Sequence, residues 1–139
     1  VSDESVINHH TALIYVMVLI SASDGNMTDA ELSQIGNIVT HLPVFRDFDP
    51  EHLGTLAASC TDVLQMDDGL DTALALVDEA LPEKLRETAY ALACDVAAAD
   101  GQIQQEELRL LEIIRYKLRV GRLPAAAIER GARARHAVL

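Results

Sequence analysis

Two copies of one pattern, A-x-D-G-x-(M/I)-x-x-x-E-L, constrain this chain more than any other feature. The first copy runs from Ala22 through Asp24, Gly25, Met27 and Glu31 to Leu32. The second runs from Ala98 through Asp100, Gly101, Ile103 and Glu107 to Leu108, each matched position 76 residues after its counterpart. In both, an apolar run precedes the Asp-Gly pair and an amphipathic run follows the Glu. Asp-Gly is a turn dipeptide, so each copy reads as helix, tight turn, helix. Self-similarity at a fixed period marks a repeated structural unit. The expected architecture is a duplicated helix–turn–helix (units about 11–42 and 87–118) with other helices around it. At 139 residues, a single domain spanning 1–139 can enclose one core.

The composition tells how that core is built. Half of the residues are hydrophobic, but only 4% are aromatic and none is Trp. Leu, Ile, Val and Ala must fill the interior, which suits helix-on-helix packing. A first helix is expected from a cap at Asp3 or Ser5 to about residue 23. Residues 13–20 are apolar around nearly its whole circumference, the mark of a central buried helix. Thr28 followed by Glu31 forms a capping box that opens a second helix, ending near Pro43. Asp49-Pro50-Glu51 opens a third, reaching about Met66. A fourth covers 70–81, and Pro82 begins a fifth that extends to Ala99. The sixth, about 104–118, places Leu108, Leu111, Ile114 and Leu118 on the stripe matching Leu32, Ile35, Ile38 and Leu42. Pro124 opens a last helix rich in Ala and Arg. With no convincing strand, the fold class is all-α, a compact bundle of about seven helices.

Charge is distributed unevenly. Residues 1–114 carry 21 acidic and four basic side chains, whereas residues 115–139 carry seven basic groups against Glu129 alone. The acidic body repels a phosphate backbone, so nucleic acid is not an expected partner. The basic stretch at 115–139 can pack back on that body, or touch an acidic protein or an anionic membrane surface. Cys60 and Cys94 lie on apolar helical faces without metal-ligand spacing, where free Cys acts as a small core residue. A reducing cytoplasmic setting follows as an expectation. The longest apolar run, Ala12 to Ala22 with Ser21 its one polar residue, is too short to span a bilayer.

The spacing D-G-x5-E, with an apolar residue two positions after the Gly, copies the second half of an EF-hand calcium loop. There the Asp and distal Glu are ligands and the Gly makes the bend. The first half is missing, because Ile20 and Ala22, and Val96 and Ala98, stand where further carboxylates belong. Tight calcium binding needs six to eight oxygens, which one loop cannot supply. Two readings remain. Asp24, Glu31, Asp100 and Glu107 converge on a divalent-cation site (Ca, Mg, Mn or Zn), or they serve turns and caps with Gly25, Thr28 and Gly101. Asp95 is a further candidate, since a charge among small apolar residues requires a partner or a route to solvent. No Ser, Thr or Cys shows a base-and-orienter set, and the histidines show no ligand spacing. No catalytic residue is assigned, and the chain is read as non-enzymatic.

The paired Asp-Gly turns in an acidic, all-helical chain of this size resemble the TerB family of tellurite-resistance domains. They are also similar to the N-terminal domain of DjlA-type membrane co-chaperones. The resemblance covers roughly 8–120 and rests on Asp24, Gly25, Glu31, Asp100, Gly101 and Glu107. It implies a seven-helix bundle with an internal duplication and no established enzymatic activity. It also implies acidic residues suggested to bind a metal ion, and a link to metal or chemical stress at the inner face of the bacterial membrane. By that likeness the partner is another protein, membrane-bound or not, and a dimer is compatible with it. No His-Pro-Asp signature is present, so a J-domain role is not carried by this chain.

Overall fold

In the computed structural model, which describes residues 7–22, 27–99, 103 and 105–139, the apolar run after Asn8 forms the axis of the molecule. Helix α1 (His9–Ser21) is buried at every position from His10 to Ser21, as a run apolar on all sides demands. It packs most extensively on α5 (Arg86–Ala98), then on α3 (Leu53–Leu64) and α4 (Gly69–Ala80). Helices α2 (Asp29–His41) and α6 (Gln105–Lys117) touch its remaining sides, and α7 (Arg122–Arg135) lies against α5. The described residues form seven α-helices, three short 3₁₀ turns and no strand.

Several boundaries differ from expectation, each for a local reason. Helix α1 starts at His9, where the Asn8 side chain accepts the Thr11 N–H at 2.8 Å, and the expected caps Asp3 and Ser5 lie outside the described residues. The third and fifth helices are each preceded by a 3₁₀ turn, Pro50–His52 and Glu83–Leu85, rather than starting at the proline. Asp49 still caps the first of these by accepting the Glu51 N–H at 3.0 Å. Helix α7 opens at Arg122, with Pro124 inside its first turn, where a missing N–H leaves no bond unmade. Helix α6 keeps the expected stripe at Leu111, Ile114 and Leu118 but departs from it at Leu108. Leu110, Leu111, Ile114 and Leu118 are buried, whereas Leu108 is 49% exposed.

Polar contacts fix the ends of this bundle. His10 Nε2 donates to the Val44 carbonyl at 2.8 Å, and its ring stacks on Phe45. The Tyr15 and Ser59 hydroxyls share a 2.8 Å bond. Helix α6 ends with Arg119 in the left-handed region at φ 60°. Val120 N–H donates to the Arg115 carbonyl and Arg119 N–H to that of Tyr116, both at 3.1 Å, the paired bonds of a Schellman cap. Arg119 then reaches Asp78 at 3.4 Å, and Arg135 reaches Asp95 at 2.6 Å. Part of the basic C-terminal stretch therefore folds back on the acidic body.

Candidate functional site

The first Asp-Gly copy leads into α2 through the expected capping box. Thr28 N–H donates to Glu31 Oε1 at 2.8 Å, and Glu31 N–H donates to the Thr28 hydroxyl oxygen at 3.1 Å. The Thr28 hydroxyl also meets Oε1, at 3.2 Å. Both contacts to the carboxylate land on Oε1. Replacing Thr28 with Ala is expected to cost about 1 kcal/mol, read as a lower urea midpoint with unchanged slope.

In the second copy, Glu107 opens α6, is half-buried and does not stand free. Asp24, Gly25, Asp100 and Gly101 lie outside the described residues, so of the four candidate carboxylates only Glu31 and Glu107 are described. Among the described residues, no three His, Cys, Asp or Glu side chains are grouped so as to hold a metal ion. One polar atom near the first turn is unusual. Ser21 Oγ is buried and has no hydrogen-bond partner among the described residues, three positions ahead of Asp24 in the chain.

The other candidates have structural assignments. Asp95 has the partner its surroundings required, because Arg135 lies at 2.6 Å and His136 at 3.5 Å. Burial pushes the Cys60 and Cys94 thiols up to about 12, so both are protonated at neutral pH and poor nucleophiles. Burial, reinforced by the hydrogen bond to Glu129, also raises the Tyr90 phenol. That hydroxyl donates to Glu129 Oε2 at 2.6 Å and ties α5 to α7.

The sequence reading missed Arg86, whose side chain makes four hydrogen bonds. Its guanidinium donates to Asp78 Oδ1 at 2.7 Å and to the Asp78 and Leu81 carbonyls at 2.8 and 3.2 Å. It also reaches the Leu118 carbonyl at 3.5 Å. One side chain thus serves the terminal carbonyls of α4 and α6, which lack partners within their own helices. A signal was present. A cation at the first position of a helix opposes the macrodipole, so in a body with four basic residues it implies a specific partner.

The family model described as "Tellurite resistance protein TerB" matches residues 10–129, which takes in α1 through most of α7. Comparison with curated proteins and with solved structures gave no match. A match over most of the chain, on a seven-helix fold without strands among the described residues, is sufficient for assignment. The chain belongs to the TerB family of tellurite-resistance proteins.

Proposed function

We propose that this chain is a non-catalytic module of the tellurite and chemical stress response. Its two Asp-Gly turns hold a divalent cation through Asp24, Glu31, Asp100 and Glu107. The observation that carries this reading is the buried Ser21 hydroxyl, which has no hydrogen-bond partner among the described residues and precedes Asp24 by three positions in the chain. An unsatisfied buried hydroxyl costs about 1–3 kcal/mol, and water on a cation held at that turn would supply its partner. Glu31 suits the same role, since Thr28 contacts only one of its carboxylate oxygens. An all-carboxylate donor set favours the hard ions Ca²⁺, Mg²⁺ and Mn²⁺ over Zn²⁺. No described helix is long and apolar enough to cross a membrane. We place the module's work at the cytoplasmic side of the membrane, through a protein partner.

A bound ion stabilises the folded state by about 2.7 kcal/mol at a hundred times its dissociation constant. Thermal melts of chelator-treated protein should therefore shift upward with at least one of the four ions, and the Glu31→Gln/Glu107→Gln variant should lose that shift. The capping box at Thr28 favours a second reading, a plain protein-interaction domain whose acids are structural. On that reading no ion moves the melting temperature, and the double variant is destabilised equally with and without ions.

A further inference from the structure

Helices α6 and α7 both pack on α5 but hardly touch each other. Between them lies a cavity of about 620 Å³, within the size range of ligand-binding clefts. Tyr90, Cys94 and Ala98 of α5 form its floor, Leu108 and Leu111 one wall, and Ala125, Ala126 and Ala132 the other. This explains the outward turn of Leu108, which faces an open trough instead of a neighbouring helix. Tyr116, at the end of the same wall, is 71% exposed.

The rim is basic on an acidic protein. Arg109, Arg115, Arg122 and Arg133 line the trough, against Glu112 and Glu129, and Glu129 is engaged by the Tyr90 hydroxyl. Arg86, Arg119 and Arg135 each lie within ion-pair distance of an aspartate. Among the described residues, the four rim arginines have no such carboxylate. Unneutralised guanidinium groups around an apolar trough present forked donors to carboxylates. Of the small residues that line the trough, Ala126 is exposed, whereas Cys94, Ala98, Ala125 and Ala132 are already buried beneath it.

We infer that the trough between α6 and α7 docks an acidic amphipathic helix of a partner protein. The apolar stripe of that helix, at i, i+3/i+4 and i+7 spacing, lies on Leu108, Tyr116 and Ala126, the exposed apolar side chains of the two walls. Its flanking Asp and Glu side chains meet the four arginines. An anionic bilayer fits less well. It is a flat surface facing a concave site. Ala98, Ile103 and Leu108 of the second copy line the trough, whereas Glu31 and Glu107 do not.

The test is fluorescence anisotropy of two short labelled helical peptides with the same Leu stripe, one flanked by Glu and the other by Lys, titrated with the full chain. The Glu peptide should bind saturably and about tenfold or more tighter than the Lys peptide, weakening as salt rises. Arg109→Glu/Arg122→Glu removes rim charge and Ala126→Trp fills the trough. All three positions are exposed, so circular dichroism should show an intact fold while each variant loses about tenfold or more in affinity. Three results would overturn the inference: no binding of the Glu peptide, equal binding of both peptides, or undiminished binding by both variants. Binding of phosphatidylglycerol vesicles without the Glu peptide would replace the protein partner with a membrane.

Discussion

Gly69→Ala is expected to destabilise the fold by about 3 kcal/mol or more, because the added methyl group strikes main chain rather than a movable side chain. A Cβ at this position would press on the Val63 carbonyl oxygen and stand 2.6 Å from that of Leu64. Those atoms belong to the last turn of α3, and Gly69 is the first residue of α4. Relief would require the two helices to separate, although both pack on α1. Gly54→Ala is the control, since a Cβ there meets nothing within 4 Å. It lies in α3 on the exposed side and should gain up to about 1 kcal/mol from helix propensity. Urea denaturation of the two variants should shift the midpoint in opposite directions.

Arg86→Met is expected to cost about 3 kcal/mol, as breaking a partly buried ion pair leaves its partner without compensation. The side chains of Arg86 and Asp78 are only 13% and 26% exposed, and three carbonyls lose a donor as well. Arg86→Lys should recover little, because a single ammonium cannot reproduce the fork. Burial acts to raise the Asp78 carboxyl. The Arg86 hydrogen bond, with the charges of Arg86, Arg119 and Lys117, outweighs it and holds the group below the usual carboxylate range. With its folded value depressed, Asp78 contributes stability that is complete above the unfolded value, near 3.9. That contribution is lost as pH falls through the lower folded value. Denaturation midpoints should therefore fall below about pH 4 in the wild type, and less steeply in Arg86→Met.

Periodicity made α1 legible as the buried axis, because a run apolar on every side has no other stable placement. The Thr28–Glu31 capping box was legible for a similar reason, since its bonds are local and its spacing is fixed. Long-range features were not. The Leu108 stripe was carried over from the Leu32 copy, but exposure depends on which helix faces the residue, and α7 leaves Leu108 uncovered. Arg86 joins residues far apart in the chain, and Gly69 matters only because the end of α3 lies against it. In the candidate cation site, residue types and spacing could be read from the repeat. Convergence of the four carboxylates could not, because it depends on how the two units pack.

The direct test of the cation reading is calorimetric titration of Ca²⁺, Mg²⁺, Mn²⁺ and Zn²⁺ into chelator-treated protein, run beside the Asp24→Asn/Asp100→Asn variant. The account predicts saturable heat with at least one ion, a defined stoichiometry, and loss of that heat in the variant. Heat no different from buffer for all four ions, or equal binding by the variant, would contradict it and leave the Asp-Gly turns as structural elements alone.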